Sequence, residues 1–143
     1  MTPQPRSRVL SQELVLRCLD ARGRSFELPA SFGYDPSDPW AVWITFRGPN
    51  DDVRWAVGRE LLLQGMTDPA GEGDVQLWPS IDENGRAAVI MELHSPEGRL
   101  VTQLLTNELY RFLTRTLAAV PLGTERIDHE LLVEEITRGS QAE

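Results

Sequence analysis

The chain has 143 residues, 41% of them hydrophobic and 25% charged, which suits one domain with its own core. Its 14 basic residues, all arginine, stand against 22 acids for a formal net charge of -8. That sign argues against a binder that neutralises phosphates regardless of sequence and against docking on anionic lipid through a basic face, and the single cysteine rules out an intramolecular disulfide.

Met1 to Arg8 is polar and proline-containing, with no apolar signal core, and together with residues 139–143 is expected to form a flexible end of a single domain spanning 1–143. The longest apolar runs, such as Ala87 to Met91, fall far short of the ~20 residues that cross a bilayer. A cytoplasmic protein is expected.

Short apolar segments then alternate with turn clusters, a β-rich pattern. Val9 to Asp20 predicts a strand, with Cys18 as a small buried hydrophobe inside it, and Ser25 to Ser31 a second strand after the turn at Ala21-Arg22-Gly23. Tyr34-Asp35-Pro36-Ser37-Asp38-Pro39 breaks the pattern, because each proline fixes its own φ and pushes the preceding aspartate away from helix. Trp40 to Phe46 is aromatic and β-branched, a third strand. Gly48 to Asp51 turns the chain, and Val53, Trp55 and Val57 alternate onto one face of a hairpin.

Gly58 to Gly65 changes period to a short helix stopped by Gly65 as a left-handed cap, and its three consecutive leucines, Leu61 to Leu63, leave one free to meet a neighbouring subunit. Thr67 to Gly73 reads as a loop. Strands follow at Asp74 to Pro79, Ala87 to His94 and Leu100 to Leu105. Asp82-Glu83-Asn84-Gly85 and Ser95-Pro96-Glu97-Gly98 make the turns between them, the first with Asn-Gly suited to positive φ at both central positions. The last third is helical: Asn107 or Thr106 caps, Leu109, Phe112, Leu113, Thr116, Leu117 and Val120 form one apolar stripe, and Arg111 and Arg115 approach the negative end. Pro121 and Gly123 end that helix, and another is expected from Asp128 to Gly139. Strands first and helices last make the chain α+β, with no internal repeat in the sequence.

Chemistry is sought and not found. His94, His129 and Cys18 are too few for a zinc constellation, and Val133 stands where the second histidine of a zincin helix belongs. A Walker loop is impossible without lysine, and no Gly-x-Ser-x-Gly elbow occurs. The carboxylate pairs Asp51-Asp52, Asp82-Glu83 and Glu134-Glu135 are neighbours in sequence and do not face each other across a cleft. No catalytic, cofactor-binding or metal-binding residue is assigned. Trp43 and Trp55 read as core, while Trp40 and Trp78 sit at element ends, where packing and partner anchoring are both open.

Four runs in order, Tyr34 to Val42, Gly73 to Ser80, Ser95 to Gly98 and Val120 to Glu125, together with Arg59-Glu60-Leu61-Leu62, resemble the SsgA-like sporulation and cell-division proteins of actinobacteria, closest to the SsgB branch. The resemblance implies a Whirly-like fold, with a strongly bent antiparallel sheet or two sheets at a steep angle and C-terminal helices, assembled as a homotrimer. It implies a non-enzymatic adaptor that recruits the tubulin-like GTPase FtsZ to the division septum, with no cofactor. A Whirly-like fold also raises single-stranded nucleic-acid binding as the alternative, which the acidity opposes. Tyr34, Trp40, Trp78, Pro121 and Gly123 are the candidate partner-binding residues.

Overall fold

The structure is a computed structural model that describes residues 9–20 and 22–125. Eight strands and two helices follow one another as β1 (Leu10–Leu19), β2 (Ser25–Tyr34), β3 (Ala41–Phe46), β4 (Val53–Gly58), α1 (Arg59–Gly65), β5 (Ala70–Glu72), β6 (Val75–Ile81), β7 (Ala87–Ser95), β8 (Gly98–Leu105) and α2 (Thr106–Ala119). Four strands and a helix thus occur twice in succession, a repeat of architecture that the side chains do not announce.

The strands form one antiparallel sheet in the order β4-β3-β2-β1-β8-β7-β6-β5, curled into a half-barrel with α2 against its concave face. Each half is a meander of hairpins, so every strand pairing within it is between chain neighbours. The only strand pairing between the halves is that of β1 with β8, from Arg17↔Gln103 to Leu19↔Val101, whereas β1 and β2 pair along all ten residues. Over the rest of β1 the halves diverge, and α2 fills the opening.

Period-two alternation sets the faces. In β1, Leu14, Leu16 and Cys18 are buried while Val15 and Arg17 face out, and β2 and β3 continue the floor with Ala30, Phe32, Val42 and Ile44. The α2 stripe closes over them: Leu109, Phe112, Leu113 and Thr116 are fully buried, and Phe112 meets Phe32 edge-on at 5.8 Å between ring centroids. Each such leucine or phenylalanine contributes roughly 1.5–3 kcal/mol when removed from water. Burial drives the docking of α2, whose N-cap makes no side-chain bond.

Several local expectations are corrected. Leu105 is the N-cap of α2 and makes no side-chain cap bond, so neither Thr106 nor Asn107 serves there. Arg111 and Arg115 are not in the last turn, and Arg115 reaches across to the Ser11 carbonyl of β1. Gly65 is not left-handed; a Cβ there would lie 2.6 Å from Cβ of Leu77, so glycine is required for close approach of α1 to β6. Leu61 and Leu62 are buried in the chain's own core, and Leu63, half-buried against it, is the leucine of α1 with surface left over. In β4 only Val57 is buried, Trp55 is half-buried and Val53 is exposed, because the strand runs off the edge of the core. At the Asp82 turn Gly85 alone has positive φ. The Thr67–Gly73 loop contains β5, a three-residue edge strand whose glycine and acids hide it from any hydropathy pattern and which exists by pairing with β6. The helix expected over 128–139 lies outside the described residues.

Candidate functional site

At one end of the half-barrel the Pro-rich loop, the start of α1 and the end of α2 converge on Arg59, which is 1% exposed. Its position follows from the strand before it: β4 delivers Gly58 to the concave side, and the Arg59 N–H donates to the Trp40 carbonyl at 2.7 Å. The guanidinium then enters the core. Nη1 donates to the carbonyls of Thr116 (3.1 Å) and Val120 (2.6 Å), Nη2 lies 3.4 Å from a Glu125 carboxylate oxygen, and the group sits over the Tyr34 ring at 5.2 Å.

This arrangement supplies what α2 lacks. A helix C-terminus carries unsatisfied carbonyls and partial negative charge, and α2 has no basic residue in its last turn. Arg59, nearly sixty residues upstream, provides the donor and the cation. Glu125 supplies the counter-charge: N–H groups of Glu125 and Gly123, then Arg59, hold its carboxyl below the usual carboxylate range. Gly123 adopts φ 84°, and Thr124 donates back to the Pro121 carbonyl, so the turn after α2 is shaped to return Glu125 to Arg59. Tyr34 completes the hub. Its hydroxyl donates to the Pro39 carbonyl at 2.9 Å, and burial, partly opposed by Arg59, raises its pKa.

Above the hub opens a groove of about 560 Å³ walled by Trp40, Trp55, Gly58, Glu60, Leu61, Glu72, Asp74 and Val75, with Arg59 and Glu125 at its base. Trp40 is 45% exposed there, held by the rigid loop behind it. No described histidine, cysteine or serine lines the groove. Among the described residues no group of three or more histidines, cysteines or carboxylates could hold a metal ion, and no helix is long and apolar enough to cross a membrane.

Of the residues singled out in the sequence, Tyr34, Trp40, Pro121 and Gly123 all belong to this end of the molecule. Tyr34 is fully buried and acts on the loop from beneath, while Trp40 reaches solvent. Trp78 is elsewhere: in β6 it points to the outer face beside Ile90, opposite to Val75 and Leu77. Arg59 itself was missed as a site residue, since an arginine at the start of a short helix gives no local sign of burial. Cys18 is fully buried, and burial raises its thiol to about 11.

Residues 28–125, which contain the whole hub, match the family described as Streptomyces sporulation and cell division protein, SsgA. The chain belongs to the SsgA family. Among its relatives, the sporulation-specific cell division protein SsgB of Streptomyces coelicolor is 42% identical over 85% of this chain and 92% of that one, and SsgB of Frankia casuarinae is 41% identical over 81% of each. A solved SsgB structure, from a protein whose mutations correlate with longitudinal cell division during sporulation of S. coelicolor, has a TM-score of 0.80 at 40% identity, covering 86% of this chain and 97% of that one. The SsgA-like sporulation-specific cell division protein of Thermobifida fusca superposes with the same TM-score at 30% identity, covering 96% and 99%. Three of the runs that carried the SsgA likeness, 34–42, 59–62 and 120–125, meet at Arg59, and the 73–80 run adds Asp74 and Val75 to the groove.

Proposed function

We propose that this chain is a non-enzymatic adaptor of the cell-division machinery, which as a homotrimer presents the Trp40 groove to a division protein and helps bring FtsZ to septum sites. The observation that carries the reading is the groove itself: a half-exposed tryptophan, fixed by a proline-braced loop, at the meeting point of four sequence-distant segments. Exposed aromatic anchors of this kind dominate binding energy at protein interfaces. In this reading Trp40 touches the partner, while Tyr34, Pro121 and Gly123 set the shape of the surface. Trp78, on the outer face, is a second contact. Three copies on one trimer would turn weak single contacts into firm recruitment through effective concentration.

Co-sedimentation of the full chain with FtsZ polymers tests the adaptor role: the wild type pellets with the polymer and Trp40→Ala stays in the supernatant. A wild type that remains soluble beside pelleted FtsZ refutes it. Light scattering at micromolar concentration tests the assembly, and a monomeric mass excludes the trimer.

A further inference from the structure

We propose that the Trp40 groove seats a basic linear segment of a partner protein, with arginine or lysine stems on Trp40 and Trp55 and their cationic ends against Glu60, Glu72 and Asp74. The inference rests on the groove being the partner-binding surface and adds the chemistry of what enters it.

The charge of the walls selects the occupant. Glu60, Glu72 and Asp74 are exposed, and among the described residues the one cation in the lining, Arg59, is buried beneath them. An incoming cation therefore meets an acidic rim over aromatic walls, where the stem removes apolar surface from water and the head gains cation–π attraction. The chain already makes such a contact once, with Arg54 lying 4.3 Å above the Trp43 ring. A volume of about 560 Å³ accommodates one or two such side chains.

The base of the groove adds a demand for an acceptor. Nε of Arg59 has no hydrogen-bond acceptor among the described residues, and Nη2 has only its 3.4 Å ion pair with Glu125. Unsatisfied buried donors are costly, and a peptide carbonyl reaching the base of the groove offers an acceptor. A peptide offers both the cation and the carbonyl. The chain's own residues 126–143 carry five acids against two arginines, a charge opposite to the one the rim attracts. The same rim repels the phosphates of a nucleic acid.

The test uses the full ¹⁵N-labelled chain and its four indole N–H signals, titrated with acetyl-Gly-Arg-Leu-Arg-Gly-amide and with the same peptide carrying glutamate for arginine. The Trp40 and Trp55 signals shift saturably with the arginine peptide only, while those of Trp43 and Trp78 stay in place. Neutralising the rim (Glu60→Gln, Glu72→Gln, Asp74→Asn) weakens binding by about tenfold, the scale of one well-placed cation contact. Trp40→Ala weakens it similarly, and Glu97→Gln, away from the groove, leaves it unchanged. Shifts spread evenly over all four tryptophans, affinity indifferent to the rim, or no binding because another segment already fills the groove would each overturn the inference. Co-sedimentation separates the two readings. If FtsZ pellets the wild type and the rim-neutralised chain equally, the basic segment is wrong and the adaptor survives. If FtsZ pellets neither while the peptide titration succeeds, FtsZ is the wrong partner and the groove chemistry stands.

Discussion

Two ends of the half-barrel fix their backbones with charged side chains, and they do so over very different spans of chain. At the hairpin tips, Asp20 and Asp82 each head the pattern Asp-x-x-Gly-Arg. In both, one carboxylate oxygen accepts from the backbone N–H two and four residues on, the other pairs with the arginine at the fourth, and the glycine takes φ near 80°. Five consecutive residues complete each device. At the opposite end Arg59 gathers Tyr34 and Trp40 from the Pro-rich loop and Thr116, Val120 and Glu125 from the end of α2, stretches far from it and from each other in sequence. A tip forms with its hairpin, whereas the hub exists only when both halves of the sheet and α2 are in place. The tips hold secondary structure and the hub holds tertiary structure.

Removing Arg59 should separate the two most sharply. Arg59→Ala leaves the Val120 carbonyl without its side-chain donor and the Glu125 carboxylate without its cation, and breaking a buried charged contact of this kind costs about 3–5 kcal/mol. Urea unfolding should show that loss, and the double variant Arg59→Met with Glu125→Leu should recover part of it, since the uncompensated charge is gone. A loss no larger than that of a surface substitution would mean that the hub is not what secures α2.

The tips should respond more mildly. Gly23→Ala and Gly85→Ala place a Cβ in left-handed backbone, where the neighbourhood is open, so the cost is conformational and amounts to about 1–2 kcal/mol each. Equal losses at both tips would support their shared design; a large difference would break it.

Acid sharpens the comparison further. Asp20 and Asp82 have carboxyl groups lowered chiefly by backbone N–H donors, and Glu125 likewise with Arg59 adding to the effect. A lowered folded-state pKa contributes stability that is present above the unfolded value near ~4 and is lost as pH falls through the folded one. The urea midpoint should therefore drop as the pH falls below about 4. Asp82→Asn should flatten this slope, as should Glu125→Gln, and an unchanged slope in both would reassign the acid sensitivity. The smallest effect concerns Cys18. Its raised pKa makes the folded thiol unreactive at pH 8 toward an exposed-thiol reagent, so labelling should follow global unfolding; fast labelling of native protein would place it outside the core.

How much of this was legible in the sequence follows the same division. The strands, the helical stripe from Leu109 to Thr116 and the turn at Asp82 were readable, because alternation, 3.6-residue spacing and Asn-Gly chemistry are all local. β5 was not, since a strand of Ala-Gly-Glu is made by its neighbour. Gly65 was readable as special but for the wrong reason: left-handed backbone and close approach to Leu77 look alike in one dimension. Trp40 could be placed at an element end beside a rigid loop, yet nothing nearby shows that Asp74 and Glu72 come to face it. Arg59 was the hardest, for its partners are set by the sheet order and not by its neighbours.

Only three residue pairs stitch β1 to β8. Along the remainder, α2 bears the load, with Phe112 wedged against Phe32 and Arg115 hooked on the Ser11 carbonyl. Mechanically the protein is two stiff plates held at an angle by a strut, and the strut's far end is pinned by a single guanidinium. A pull on that pin would change the dihedral between the plates before it disturbed the weave of either one.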